Sequence, residues 1–154
     1  MNELKIAVSF IIYNEKGEFL AIKRPPEDEE LGPLWGLPAT NVQLKKESLD
    51  EAVLRDAMEK LNCKVTISER LPLAMIQKRQ GYDLLLLDYK CDLVPGQVPD
   101  VKKAKTKGTK YTAQQWTKNT EMLFEIAKKG SICTQLFLNY LGKWPLESFV
   151  TELK

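Results

Sequence analysis

Histidine is absent from this sequence of 154 residues. That absence excludes imidazole metal ligands, a Ser-His or Cys-His nucleophile pair, and histidine as a general base. Any proton transfer must therefore use a carboxylate, a lysine or a tyrosine. A resident metal ion is expected to be Mg²⁺ or Mn²⁺ bound through oxygen, because such hard cations prefer carboxylate and carbonyl ligands.

Cysteines are few and hydrophobic runs are short. The three cysteines, Cys63, Cys91 and Cys133, are odd in number and far apart. They lack the spacing of zinc ligands, and they predict buried free thiols in a reducing compartment. No apolar run approaches the roughly 20 residues that span a bilayer, and the first residues lack the pattern of a signal peptide. We therefore expect a cytoplasmic protein without a membrane partner. The net charge of +2 indicates no particular class of partner.

The length and the order of apolar patterns predict a single domain, residues 1–154, of mixed α/β class. Strands are predicted at 4–13, 18–23, 64–78 in two pieces broken at Pro72, 82–94 and 111–116. The strand at 82–94 is the most apolar and is expected at the centre of the sheet. Further helices are predicted at 121–129 and 132–141, before a short helix in the tail.

A helix of about four turns is predicted to begin at Leu49, because Ser48 and Glu51 form a Ser-x-x-Glu capping box. At 100° per residue, its apolar and polar residues separate onto two faces. The apolar face, expected to dock on the sheet, carries Leu49, Val53, Leu54, Ala57, Met58 and Leu61. The polar face, expected to be able to hold a hard cation, carries Glu51, Arg55, Asp56, Glu59 and Lys60.

Two charged segments each allow two interpretations. The acidic segment Glu27–Glu30 is either a solvated loop or a contributor to a cation site. The segment 95–110 carries Lys102, Lys103, Lys105, Lys107 and Lys110. It is either a mobile solvated loop or a lysine clamp for phosphates or an RNA backbone. It has no aromatic residue before Tyr111, which argues against a platform on which bases stack.

The order of elements resembles the Nudix hydrolase superfamily. The motif on which the resemblance mainly depends is the Nudix box, Gly-x5-Glu-x7-Arg-Glu-aliphatic-x-Glu-Glu-x-Gly-aliphatic. Glu47 and Arg55 match its Glu-x7-Arg spacing. Upstream, Trp35-Gly36-Leu37-Pro38 is similar to the Trp-x-Leu-Pro that precedes the box. The chain departs from the box at Ala39-Thr40, Asn41, Asp56, Lys60 and Asn62. The resemblance implies a Nudix-type α/β/α sandwich with a mixed sheet.

The resemblance also implies roles for particular residues. Asp56, Glu59 and a backbone carbonyl near Ala39 or Thr40, assigned to Thr40, would hold Mg²⁺ or Mn²⁺, and Asp56 or Glu59 would activate water. Glu47 would pair with Arg55 and orient the helix. Lys60 stands where the box has a carboxylate and reverses its charge. Lys60, Arg24 and Lys23 would contact phosphate, together with lysines of the 102–110 segment.

Three functions follow as expectations. The first is Mg²⁺-dependent cleavage of the diphosphate in a nucleoside diphosphate linked to another group, weakened by Lys60. The second is an inactive Nudix-fold module that binds a nucleotide, with Lys60 in the place of the metal. The third is an interaction domain that binds RNA or protein, with RNA contacted by the lysine segment. A homodimer is compatible with any of them. The competing structural interpretation of Asp56, Glu59 and Lys60 is an exposed helix face with routine ion pairs.

Overall fold

The computed structural model of the chain describes residues 2–153. Within this range seven strands form one mixed sheet in the order β3-β2-β1-β6-β5, with β4 paired to β1 and β7 paired to β2. The strands are β1 Glu3–Tyr13, β2 Phe19–Lys23, β3 Trp35–Gly36, β4 Ala39–Asn41, β5 Val65–Arg79, β6 Tyr82–Leu93 and β7 Ala113–Thr117. The β1–β6 pair is parallel, whereas β1 and β2 run antiparallel. The predicted α/β class with a mixed sheet is therefore confirmed.

Strand β1 lies at the centre of the sheet, where β6 was predicted. Its residues 7–12 are all buried, whereas burial along β6 is interrupted. Alternate β1 residues pack into different clusters, since successive side chains of a strand point to opposite faces. Val8, Phe10 and Ile12 belong to one cluster, while Ala7 and Ile11 belong to two others. Both faces of the sheet are thus covered.

Helices cover the two faces. They are α1 Leu49–Leu61, α2 Phe124–Lys128 and α3 Ile132–Tyr140, with 3-10 turns at Val101–Lys103, Thr120–Leu123 and Leu146–Ser148. Helix α1 contributes Val53, Ala57 and Leu61 to the cluster around Phe10. Helix α3 contributes Leu136 to the cluster of Ala7. No helix within residues 2–153 has the length and apolar character needed to cross a membrane.

Pro72 does not divide the chain into two strands. Strand β5 is continuous, and its register against β6 shifts between Arg70 and Ala74, the interval that contains Pro72. Strand β5 is the last strand in the sheet order, and proline is tolerated at a sheet edge or a bulge because its missing N–H removes no central ladder bond. The predicted break at Pro72 is therefore wrong.

The lysine-bearing segment 95–110 is fixed to the rest of the fold. Val101 is buried in the α1 cluster, and its N–H donates to the side chain of Gln114 at 2.7 Å. The N–H groups of Asp100 and Lys105 donate to the carbonyls of Leu61 and Glu59 at 2.8 and 2.7 Å. These bonds satisfy carbonyls at the end of α1. The segment is therefore anchored at residues 100–105, which does not fit a mobile loop there, while its lysines are exposed.

A carboxylic acid, Asp88 on β6, lies fully buried in the sheet. The Ser9 hydroxyl of β1 donates to its Oδ1, and its Oδ2 is buried without a hydrogen-bond partner among the described residues. Burial raises the pKa of Asp88 well above its usual value, although the bond from Ser9 opposes the shift. Burial also raises the pKa of the nearby Cys133 thiol, and the Asp88 charge adds to that shift.

Asp88→Asn is expected to stabilise the protein increasingly as the pH rises. Because the folded pKa of Asp88 is raised, its favourable contribution is complete below pH 3.8 and is lost as the pH passes through the folded pKa. An asparagine has no charge to bury, so its advantage over aspartate grows by up to about 1.4 kcal/mol per pH unit in that window. Urea unfolding between pH 5 and 9 measures the difference. Asp92→Asn removes an exposed carboxylate from the same strand, and curves that run parallel for both variants would contradict the prediction.

Candidate functional site

A cleft of about 960 Å³ runs from the C-terminal turns of α1 to the first turn of α3. It is walled by β4, by residues 105–109 and by the segment after β2. Among the described residues, its cationic lining side chains are Arg24, Arg55, Lys60, Arg79, Lys105 and Lys107, and its acidic ones are Glu30 and Glu59. The cleft therefore carries a net positive charge.

Lys60, on the last turn of α1, is 5% exposed and reaches the cleft. Its Nζ donates to the Ala39 carbonyl oxygen at 2.5 Å and lies 3.3 Å from Asp56 Oδ1. The Tyr111 ring centroid lies 5.5 Å from the same nitrogen, and the Tyr111 hydroxyl accepts from the Ala39 N–H at 3.1 Å. An ammonium group has three donors and the Ala39 carbonyl accepts one of them, so an N–H is available for a ligand in the cleft.

Asp56 is fully buried and does not line the cleft. Neither of its carboxylate oxygens has a hydrogen-bond partner among the described residues, so the charge of Lys60 is its main compensation. Burial raises the pKa of Asp56 to about 6, although the Lys60 charge opposes the shift. The structure thus places the Asp56 carboxylate behind the lining of the cleft, and its role toward a ligand or a metal stays a prediction.

The faces of α1 also differ from the prediction. Leu54 and Met58, assigned to the apolar face, are 45% and 40% exposed, whereas Asp56 and Lys60, assigned to the polar face, are buried. The reason is that other segments pack against this helix: Tyr111, from a distant part of the chain, joins the cluster around α1. Tyr111 and Ala39 lie against Lys60 on one flank, whereas Leu54 and Met58 are left exposed to water.

Arg55 ties α1 to the segment before it. Its guanidinium donates to both carboxylate oxygens of Glu47 at 2.9 and 2.7 Å, to the Asn41 carbonyl at 3.2 Å, and to Glu59 at 3.2 Å. The bond from Arg55 is the main cause that lowers the pKa of Glu47. Glu59 lines the cleft, but this ion pair already engages its carboxylate.

The remaining predicted residues separate into two groups. Arg24 lines the cleft and pairs with Asp28 at 2.5 Å. Lys23 does not line it; its Nζ lies 5.9 Å from the Trp35 ring centroid. Successive side chains in an extended segment point to opposite sides, so Lys23 and Arg24 cannot both face the cleft. Thr40 lines the cleft, but the carbonyl that meets a cation is that of Ala39.

Sequence reasoning missed two residues of the site. Arg79, at the end of β5, lines the cleft and pairs at 2.8 Å with Glu30 of the acidic segment. Tyr111 forms the aromatic side of the Lys60 environment. Its position directly after the lysine segment was the one available signal. Asp28 and Glu30 of the acidic segment thus pair with Arg24 and Arg79.

A divalent ion does not fit the residues assigned to it. Mg²⁺ needs near-octahedral oxygen ligands at about 2.0–2.1 Å, but the Lys60 ammonium already contacts the Ala39 and Asp56 oxygens. Charges of +2 and +1 held 4 Å apart repel by on the order of 8 kcal/mol at an effective dielectric of about 20. Residues 2–153 contain no group of three or more Cys, Asp or Glu side chains that could hold a metal.

Comparisons with known proteins agree with the resemblance. The family model of the NUDIX domain matches residues 3–122. An uncharacterized Nudix hydrolase of Listeria innocua is 27% identical over 139 residues, which cover 90% of this chain and 78% of that protein. One of Listeria monocytogenes is 30% identical over 81 residues, 53% of this chain, and the match spans about half of the relative, 48% of its length.

Solved structures share the fold at low sequence identity. A MutT protein from Methanosarcina mazei superposes with a TM-score of 0.68 at 18% identity, covering 92% of this chain and 96% of that one. An Ap4A hydrolase from C. elegans superposes with a TM-score of 0.62 at 17% identity, covering 91% and 99%. At these identities the likeness establishes the fold.

Proposed function

This chain belongs to the Nudix hydrolase superfamily, and on that premise we propose that its cleft binds a nucleoside diphosphate linked to another group. The diphosphate is assigned to the part of the cleft near Lys60, Lys105 and Lys107. Ala7, Leu84 and Leu86 also line the cleft, and this apolar surface suits the ring of a nucleoside. The cleft of about 960 Å³ lies within the range typical of small-molecule sites.

The observation that carries the proposal is the charge of the cleft. Its two carboxylates are each paired with an arginine, Glu30 with Arg79 and Glu59 with Arg55. Within residues 2–153, Lys105 and Lys107 make no salt bridge, although both line the cleft. Unpaired ammonium groups at a concave surface attract a multiply charged anion and can donate charge-assisted hydrogen bonds to phosphate oxygens.

A second candidate function is Mg²⁺-dependent hydrolysis of the same diphosphate. Glu59 favours it, because this carboxylate lines the cleft and its side chain is 36% exposed. The cationic surroundings of Lys60 favour binding over hydrolysis, so we expect any turnover to be slow. RNA binding through the lysine segment and a homodimer remain predictions without a supporting contact in the described part of the chain.

The test is a panel of ligands measured by thermal unfolding, once in EDTA and once in Mg²⁺, with phosphate release followed in parallel. The panel contains nucleoside diphosphates, nucleotide sugars, ADP-ribose, inorganic pyrophosphate, and nucleosides without phosphate. We expect compounds with a diphosphate to raise the melting temperature equally well in EDTA, and nucleosides to have little effect. At 100 times its Kd a ligand adds about 2.7 kcal/mol to the free energy of unfolding.

The same panel separates the alternatives. Rapid phosphate release that requires Mg²⁺ would establish the second candidate instead. If no diphosphate compound changes the melting temperature in either buffer, the proposal is wrong. RNA oligonucleotides belong in the panel, since binding that weakens steeply with salt would favour the RNA interpretation.

A further inference from the structure

The ammonium group of Lys60 lies between the Ala39 carbonyl and the Asp56 carboxylate. The family resemblance assigns a metal to Asp56, Glu59 and a carbonyl near Ala39 or Thr40. We infer that this ammonium is the permanent cation of the cleft, that it excludes a divalent ion from the Ala39 and Asp56 oxygens, and that its remaining N–H donates to a phosphate oxygen of the ligand. The last part rests on the proposed function. The exclusion of the metal does not.

The surroundings of Lys60 hold its ammonium in place from several sides. Ala39 accepts a hydrogen bond at 2.5 Å, Asp56 supplies the opposite charge at 3.3 Å, and the Tyr111 ring lies 5.5 Å away. The Tyr111 hydroxyl also fixes the Ala39 N–H, which orients the Ala39 peptide. Gly108 lies beside the end of the chain, since a Cβ there would be 3.6 Å from Lys60 Cε.

This environment suits an ammonium group better than Mg²⁺. An ammonium group has three N–H donors. The Ala39 carbonyl accepts one of them, the Asp56 carboxylate supplies the opposite charge at 3.3 Å, and Lys60 also lines the cleft. An aromatic face also attracts an ammonium. Mg²⁺ needs six oxygens and would have to displace the ammonium from both protein groups. The nearby Glu59 carboxylate already pairs with Arg55 at 3.2 Å, so it offers little compensation.

Lys60→Glu is the direct test, because it converts the ammonium into a carboxylate beside Asp56. Mn²⁺ binding is measured on the full chain without nucleotide, by the loss of the free-ion paramagnetic resonance signal. We expect the variant to bind Mn²⁺ at least about 100-fold more tightly than the unmodified chain, since even an outer-shell change shifts metal affinity by about 10–100-fold. Lys64→Glu, an exposed residue with the same charge change, is expected to behave like the unmodified chain.

The site of any new binding is checked by Asp56→Asn in the Lys60→Glu background, which is expected to remove the gain. An equal gain in Lys64→Glu would overturn the inference, because it would show a general effect of charge. The unmodified chain tests the inference even if Lys60→Glu does not fold. If it binds Mn²⁺ with micromolar affinity and Asp56→Asn abolishes that binding, Lys60 does not exclude the metal.

The phosphate contact is tested with inorganic pyrophosphate in EDTA, at a temperature where circular dichroism shows each variant folded. We expect Lys60→Met to weaken pyrophosphate binding about 10-fold or more, and Lys64→Met to leave it unchanged. Equal affinity in both variants would overturn the phosphate contact. Failure of pyrophosphate to bind even the unmodified chain would count against the proposed function, whereas the Mn²⁺ result would still decide whether Lys60 excludes the metal.

Discussion

Lys60→Met is expected to lower the free energy of unfolding by about 3–5 kcal/mol at pH 8, the range typical of breaking a buried ion pair from one side. Asp56 is fully buried, and among the described residues Lys60 is its salt-bridge partner, so the variant leaves the carboxylate without one. The Ala39 carbonyl also loses the donor that it meets at 2.5 Å. Urea unfolding of the full chain measures the loss.

The loss should depend on pH in a defined direction. The pKa of Asp56 is already raised from 3.8 to about 6 by burial, and Lys60 opposes the shift. Removing Lys60 therefore moves the folded pKa further up. Below about pH 6 the carboxyl is largely protonated in both folded chains, so its contribution to the deficit is small there. The deficit grows as the pH rises above about 6, because the unmodified folded chain then releases the Asp56 proton whereas the folded variant keeps it up to a higher pKa.

A double variant shows whether the stability loss in Lys60→Met comes from the unpaired buried charge of Asp56 or from lost packing. Asp56→Leu combined with Lys60→Met removes both charges, and we expect it to recover the stability to within about 1 kcal/mol of the unmodified chain or to exceed it. Lys64→Met, at an exposed position, is expected to change the stability by less than about 0.5 kcal/mol. A deficit in Lys60→Met that is independent of pH, and that the second substitution deepens, would contradict this explanation.

The ends of α1 could be predicted from the sequence because their signals are local. The Ser48 side chain accepts from the Glu51 N–H at 3.1 Å, and the Glu51 carboxylate accepts from the Ser48 N–H at 3.0 Å. Asn62 ends the helix in a left-handed conformation with φ of 50°, which asparagine tolerates better than most residues. Neither end depends on a distant segment, so the residues themselves contain the information.

The burial of Asp56 and Lys60 could not be predicted in this way. Helical periodicity assigns residues to faces, but it does not say how many faces are covered. Ala39, which contacts Lys60, lies 21 positions before it in the sequence. Tyr111, whose ring lies beside the same ammonium, lies 51 positions after it, just before β7. The expectation that charged residues of an amphipathic helix face the solvent fails where two other segments of the chain pack against that side of the helix.

The candidate site could be predicted only in part for the same reason. The Glu47-x7-Arg55 spacing indicated a pair that the structure brings together at 2.7 Å, because both residues belong to one local motif. Arg79 gave no signal, since its approach to the cleft depends on how β5 pairs with β6. The choice between Ala39 and Thr40 also depends on the register of β4 against β1, where Ser9 lies opposite Ala39.

Lys105→Ala combined with Lys107→Ala is expected to weaken binding of a diphosphate compound by about 100-fold. Both lysines line the cleft and are exposed, and within residues 2–153 neither has a carboxylate partner to lose. A charge-assisted hydrogen bond contributes on the order of 1.5–3 kcal/mol, and each factor of ten in affinity corresponds to about 1.4 kcal/mol. Titration calorimetry in EDTA measures the change, with inorganic pyrophosphate as the probe.

Lys102→Ala combined with Lys103→Ala is the matched control. These residues lie in the same segment and are exposed, but they do not line the cleft. Both double variants remove two positive charges, so they alter the long-range field of the protein to a similar degree, and 0.15 M salt screens that field beyond about 8 Å. Contact with the ligand is then the main difference between them. An equal loss of affinity in both would mean that the ligand senses only the total charge of the segment, and the diphosphate would have to lie elsewhere.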